Sequence, residues 1–285
     1  MSDRTVTGPA RVFSGLLRLP PWPFRARRAE ADGVLDRVGR SLVAMSAAHA
    51  GASDAGAFRL LTWPGSDLPE LNYAMPVRAA RDWDRAVDRL ARAFAAADRA
   101  PRVEVIVEVW PAADAALRRR GWAMTGEAPV MALEPDGFRP APPVDGVAER
   151  WLDGGDPEGR LDDFLDLQST AFGFSTDRLG RHRIVDLRQE LSSGSMATLA
   201  MIEQGRILAA ASLLGTPPLG ELVGVAVRPG ARGRGCGARA CSVALDRFLH
   251  QGGRLVWLVA EAPAIRLYEG LGFVRVGTHR SYAPD

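Results

Sequence analysis

Glycines occupy alternate positions in Arg232-Gly233-Arg234-Gly235-Cys236-Gly237, between an apolar run from Glu221 to Val227 and a helical run from Ala238 to Gln251. Such spacing lets successive backbone N–H groups turn inward, and the start of the following helix adds its partial positive charge. The expectation is a concave anion site at a strand-to-helix junction, of a size that suits a pyrophosphate. A plain flexible turn seldom uses three alternate glycines flanked by two arginines. A dinucleotide fingerprint is the competing reading, because Gly235, Gly237 and Ala240 satisfy G-x-G-x-x-A and Glu261 ends the next strand like a ribose ligand. Its context is wrong: Gly235 comes too far after Val227, and too little chain follows Glu261 to finish a doubly wound sheet.

Composition narrows the chemistry. The chain of 285 residues, 47% hydrophobic and 25% charged, can bury a full core. Its 36 cations against 34 anions leave a net charge of +2, which supplies no general field for holding nucleic acid or an anionic membrane. Every one of those cations is arginine, so Schiff-base chemistry, a Walker-type phosphate loop and a kinase-type lysine are excluded. Cys236 and Cys241 cannot build a disulfide framework or a cysteine-rich zinc site, and a reducing, cytoplasmic setting is expected. The histidines His49, His182, His250 and His279 lack metal-ligand spacing, so no metal is expected. No apolar run reaches the roughly 18 residues of a membrane span. The apolar stretch Val12 to Leu19 is followed, not preceded, by its arginines, which is the wrong order for a signal peptide.

The coarse pattern is mixed α and β. Phe138 to Gly146 (FRPAPPVDG) is the clearest linker. Before it, helices are expected over Ala31 to His49, Asp82 to Asp98 and Ala112 to Arg120, and strands over Ala57 to Thr62, Leu71 to Val77, Val103 to Val109 and Trp122 to Leu133. After it, strands are expected over Gly146 to Leu152, Ser195 to Ile202, Arg206 to Leu214, Glu221 to Val227, Leu255 to Ala260 and Phe273 to Thr278. The matching helices are Pro157 to Phe172, Arg178 to Leu191, Ala238 to Gln251 and Pro263 to Leu271. The halves resemble one another at an offset of about 150 residues, which points to two related domains rather than a solenoid. LNYAMPVR (Leu71 to Arg78) parallels ELVGVAVR (Glu221 to Arg228), and Val105 to Trp122 parallels Trp257 to Phe273. After Arg78 the first copy reads AARDWDR, without glycine.

VGVAVRPGARGRGCGARA resembles the acyl-CoA loop of the GNAT superfamily of N-acetyltransferases, V-x-P-x-x-R-G-x-G-x-G/A. APAIRLYEGLGFVRVG resembles its later signature, A-x-x-L-Y-x-x-x-G-F. Two such matches in the right order cover the last stretch of the chain. The resemblance implies an α/β (mixed α+β) fold of two tandem GNAT-like domains, each a mixed, largely antiparallel sheet flanked by helices. A tail over residues 1–30 that can dock on the fold, a degenerate copy over 31–140 and a catalytic copy over 145–285 are expected.

Carried over residue by residue, the resemblance implies that backbone N–H groups of Arg232, Gly233, Arg234, Gly235, Cys236 and Gly237 hold the pyrophosphate of acetyl-CoA. The pantetheine arm would pair with the edge at Val225 and Val227. Tyr268 would protonate the departing thiolate, as a phenol with an ordinary pKa near ~10 can; the first copy has Leu117 there. An asparagine frequent in the family is replaced by Glu261. Glu221 is the candidate base, with a surface carboxylate at a strand end as the plain alternative. Phe172, Phe174 and Asp177 would suit a small cationic or aromatic amine, although inter-helix packing is the favoured reading of the two aromatics. Asn72, Tyr73 and Trp63 are readable as groove lining or as core. Cys236 reads as a small filler, and His182, His250 and His279 as surface or structural residues.

The expected function is acetyl-CoA-dependent transfer of an acetyl group to a primary amine of a small molecule or peptide by direct attack. The expected partners are that acceptor, no nucleic acid and no membrane, in a monomer or homodimer. A non-catalytic acyl-CoA sensor is the alternative from a different class. An aminoacyl-tRNA-dependent transferase is a third reading, which the near-neutral charge disfavours.

Overall fold

The computed structural model describes residues 28–48, 51–63, 66–173 and 183–284. The expected tail therefore lies outside the described residues for all but its last few positions. In the first half, α1 (Arg28–Ala48) precedes β1 (Ala52–Ala55), β2 (Phe58–Leu61) and β3 (Tyr73–Pro76), then α2 (Trp83–Ala96), β4 (Val103–Ile106), α3 (Pro111–Arg119) and β5 (Trp122–Leu133). The second half contains β6 (Ala148–Leu152), α4 (Glu158–Phe172), α5 (Arg183–Ser193), β7 (Met196–Glu203), β8 (Arg206–Leu214), β9 (Leu219–Val227), α6 (Cys236–His250), β10 (Leu255–Val259), α7 (Ile265–Leu271) and β11 (Val274–Pro284). The short β1, from the weakly strand-forming sequence ASDA, was not foreseen; it pairs with β2 around Gly56.

All of these strands belong to one sheet in the order β1-β2-β3-β4-β11-β5-β10-β9-β8-β7-β6. Its centre is an exchange. β5 of the first half pairs with β10 of the second, Val130 to Leu133 against Val259 to Val256. β11 of the second half pairs with β4 of the first, His279 to Tyr282 against Ile106 to Val103. The two exchanged strands pair antiparallel with each other from Val274/Ala132 to Pro284/Trp122. β11 thus runs six residues beyond the expected end at Thr278, because its polar positions find partners on both edges rather than solvent.

Alternation along the strands sorts side chains to two faces. One face packs on α2 and α3 through Phe58, Leu90, Phe94, Val103, Val105 and Tyr282, and on α6 and α7 through Met131, Leu133, Leu222, Leu245 and Leu258. The opposite face packs on α1 through Leu35, Val38, Ile106, Val130 and Trp257, and on α4 and α5 through Leu161, Leu167, Leu187 and Ala226. Trp257 Nε1 donates to Ser41 Oγ of α1 at 3.2 Å. The proline-rich segment after Phe138 is not a loose tether. Ala141 N donates to Ser242 Oγ at 2.9 Å, and Arg239 donates to Ala141 O at 2.8 Å.

A buried carboxylate fastens the exchanged strand to the first half. Asp114 on α3 is 1% exposed. It accepts from the Tyr282 hydroxyl, from Arg280 at 3.2 Å and from Arg118 at 2.7 Å. Removing one member of such a network strands the others without partners. Asp114→Ala is expected to cost about 3 kcal/mol, read as a lower urea midpoint with unchanged slope.

Candidate active site

β9 and β10 are parallel neighbours for only three registered pairs, Leu219/Leu255, Gly220/Val256 and Glu221/Trp257. Beyond them, β9 stays bound to β8 as far as Val227, and β10 stays bound to β5 as far as Val259. The strands therefore part, and the β9 edge from Leu222 onward, including Val225 and Val227, has no strand partner among the described residues. Gly224 helps this divergence. Its φ of +58° lies in the left-handed region, and the β8 register shifts beside it, between Ala210/Ala226 and Ser212/Val223. The bulge is held from α4 by Gln168, whose amide donates to Gly224 O at 2.8 Å.

The glycine-rich loop continues from the open end of β9. Gly233 and Gly235 have φ of +76° and +85°. A Cβ on Gly237 would lie 2.8 Å from Val227 Cγ2, so α6 can start this close to β9 only with glycine there. α6 has no side-chain N-cap. Among the described residues, no protein group accepts from the N–H groups of Gly233 to Gly237. A helix of 15 residues thus points its start at a ring of free donors, which fits an anionic phosphate group.

The arginines around the loop have distinct tasks. Arg228 is turned inward and ties the end of β9 to α4, donating to Ile207 O at 2.8 Å, to Asp166 at 2.8 Å and to Asp163 at 2.5 Å. Arg234 forks onto Glu203 of β7 at 2.5 and 3.2 Å. Arg232 is exposed on the loop. Cys236 is buried under the loop and Cys241 one helical turn further in, where burial pushes its thiol up to about 12. A thiol raised in this way is not a reactive thiolate at Cys241.

Tyr268, on α7, is 7% exposed and packs edge-on to Phe273 with ring centroids 5.9 Å apart. Its hydroxyl has no hydrogen-bond partner among the described residues. Burial first, then the negative potential of Cys241 and Glu261, raises the phenol above its ordinary value. It stays protonated, as a proton donor must. Leu267 of the same helix reaches the Gly237 position, so α7 lies beside the start of α6.

Glu221 is the last paired residue at the fork. Burial, reinforced by the negative charge of Glu104, pushes its carboxyl up to about 8. Phe172 ends α4 before Gly173 and is 45% exposed, so it does not pack the core as its aromatic character suggested. Phe174, Asp177 and His182 lie outside the described residues. Glu261 and His250 are exposed, whereas His279 sits 3.3 Å from Glu104. Asn72 is core: it donates to Ser66 O and Leu68 O and accepts from Trp63 N.

Gln168 and Glu104 did not emerge from the sequence as site residues, whereas Tyr73 was readable there as groove lining or as core. For Glu104 a signal was present, a lone carboxylate at an inward position of the apolar strand VEVI. The corresponding junction of the first half is built differently. Asp82 caps α2 by accepting from Arg85 N at 3.0 Å, so a carboxylate already holds the position an anion would take.

Residues 161–273 match the acetyltransferase (GNAT) family model. A search of the curated proteins returns no match. Among solved structures, the chain is similar to a GCN5-related N-acetyltransferase from Kribbella flavida, with a TM-score of 0.70 and 20% identity over 87% of this chain and 94% of that one. A GNAT-family acetyltransferase structure from Novosphingobium aromaticivorans superposes with a TM-score of 0.52 and 18% identity over 85% and 96% of the two chains. A tandem GNAT protein from the clavulanic acid biosynthesis pathway gives a TM-score of 0.55 and 15% identity over 87% and 94%. The forked strands and the glycine loop both lie within residues 161–273, the stretch that matches the acetyltransferase (GNAT) family model, and the fold as a whole is similar to that of the GCN5-related N-acetyltransferase from Kribbella flavida.

Proposed function

We propose that the protein is an acetyl-CoA-dependent N-acetyltransferase acting on a primary amine of a small molecule or peptide by direct attack. The observation that carries this reading is the fork of β9 and β10, which leads into a loop of free N–H groups at the start of α6. In this reading the chain has two GNAT-like parts, over residues 31–140 and 145–285, and only the second holds acyl-CoA. Support for that asymmetry is the self-capped α2, whose Asp82 would repel a phosphate. The two cysteines and the lack of a disulfide suit a cytoplasmic enzyme. Among the described residues, no helix is long and apolar enough to cross a membrane.

The N–H groups from Arg232 to Gly237 would hold the pyrophosphate, and the free edge at Val225 and Val227 would pair with the pantetheine amides. Bound acetyl-CoA supplies the acyl group as a thioester. Glu221 takes a proton from the entering ammonium, leaving a neutral nitrogen with a lone pair. The N–C bond forms as the C–S bond breaks, and the Tyr268 hydroxyl gives its proton to the departing sulfur. Burial that keeps Tyr268 protonated and Glu221 near neutrality places both groups where acid and base are useful at physiological pH. Phe172, with Phe174 and Asp177 beyond it in the chain, would border the acceptor.

The first test is calorimetric titration with acetyl-CoA, together with a thiol-release assay on primary amines; absence of acetyl-CoA binding overturns the reading, and binding without release on a broad amine panel favours a sensor. Gly235→Asp adds a strained φ and a negative charge, and is expected to weaken acetyl-CoA at least about tenfold. Tyr268→Phe is expected to lower kcat by about 10²-fold with acetyl-CoA affinity unchanged. Because Glu221 must be ionised to accept a proton, kcat/KM should rise with pH through about 8. Glu221→Gln should abolish that limb.

A further inference from the structure

The strand registers place polar residues of both halves on one face of the sheet. Ala74 and Val103 are registered partners facing the α2–α3 core, so Tyr73 and Glu104 point to the opposite face. Glu104 lies opposite Ser281 on β11. Glu221 lies opposite Trp257, whose ring packs on α1, and so shares that face. The segment before Tyr73 crosses to the second half, where Leu68 and Leu71 enter the core of α4 and α5. α4 in turn reaches β9 through Gln168. The chain entering β3 is thereby tied to the helices that pack beside β9. The closeness is felt electrostatically: burial first, then Glu104 and Glu221, raise the Tyr73 phenol, and Glu104 raises Glu221.

Neither the Glu221 carboxyl nor the Tyr73 hydroxyl has a hydrogen-bond partner among the described residues. Both side chains are largely enclosed by protein, yet each residue retains some accessible surface. Enclosed polar groups are normally paired, and those that lack a protein partner but keep some access can take polar atoms of water or of another molecule. The cations nearby are already engaged. Arg102 donates to Glu104 at 3.0 Å and to Ser281 at 3.2 Å, and His279 lies 3.3 Å from Glu104. Although burial alone pushes the Glu104 carboxyl up, His279 and Arg102 hold it below its ordinary value, so it remains an anion.

We propose that this shared face, where residues of the two halves meet, is the acceptor site, that it takes a small protonated primary amine without a carboxylate, and that Tyr73 and Glu104 of the first half set its specificity. The inference rests on the transferase reading above and names its substrate class. An entering ammonium meets the Glu221 carboxyl, the Tyr73 phenol and its ring face, and the fixed negative charge of Glu104. A carboxylate on the acceptor would be repelled by the Glu104 anion and, once Glu221 has ionised, by that group as well. Facing Glu221 are Glu104 from β4, Tyr73 from β3 and the uncharged Trp257 from β10. Glu104 is thus a positioning residue for the cation and a source of basicity at Glu221, whereas Tyr73 touches the acceptor.

The test compares 2-phenylethylamine and spermidine with glycine in the thiol-release assay, for the wild-type protein, Glu104→Gln and Tyr73→Phe, each checked for folding by circular dichroism. At least one carboxylate-free amine should exceed glycine in kcat/KM by about tenfold or more. Glu104→Gln should raise KM for that amine about tenfold, leave acetyl-CoA affinity unchanged, and move the acid limb to lower pH because a like charge is gone. Tyr73→Phe, which removes one oxygen atom, should raise KM with the limb in place. Glycine equal to or better than both amines overturns the proposal, as does acetyl-CoA binding without thiol release on any of the three, or wild-type KM and pH limb in both variants. Failure of acetyl-CoA to bind at all overturns the transferase reading first, and this inference with it.

Discussion

The antiparallel pairing of β5 with β11 holds the molecule together, because each of these strands also completes the sheet of the half to which it does not belong. β4 reaches the centre of the sheet through β11, and β10 reaches it through β5. A strand in this position cannot leave without exposing two rows of backbone donors and acceptors. Folding of the halves is therefore coupled by the ladder itself as well as by side-chain contact. Asp114 adds a specific fastening, joining α3 to the Arg280 and Tyr282 side chains of the incoming strand.

The fork depends on that central ladder. β10 is secured by β5 and β9 by β8, so the two can separate after Trp257 and Glu221 without unravelling. What β9 loses at its free edge is offset at its end by Arg228, whose guanidinium makes planar, charge-assisted bonds to α4 and to the Ile207 carbonyl. The absence of lysine is consistent with such use of cations. Arg234 and Arg239 each fork onto one carboxylate, and Arg228 and Arg280 each span two, geometries that an ammonium could not reproduce. Of the arginines beside the loop, Arg228 and Arg234 already have protein partners, whereas Arg232 is exposed.

Much of the local structure was legible in the sequence. Period-two and helical patterns placed β5, β8 and α4 to within a residue or so, and the glycine spacing located the strand-to-helix junction. Tyr268 could be singled out only by its place in a motif, and its burial against Phe273 had no local signal. Phe172 was open to two readings, and its position at the exposed end of α4 favours neither tight core packing nor an enclosed wall. Glu104 was read as one polar residue in an apolar strand, because its meaning depends on Glu221, which lies far along the chain.

By itself, the sequence determined the alternation of elements, the absence of lysine-based chemistry, the glycine loop and the contrast between the glycine-rich stretch after Arg228 and the glycine-free stretch after Arg78. These are matters of residue type and short spacing, which act within a few residues. Only the tertiary structure decided that β5 and β11 exchange places, that β9 and β10 part after Glu221, and that Tyr73, Glu104 and Glu221 share one face. Those outcomes follow from the pairing of strands remote in sequence. Register selects the face on which each side chain lies, and no local pattern encodes the partner.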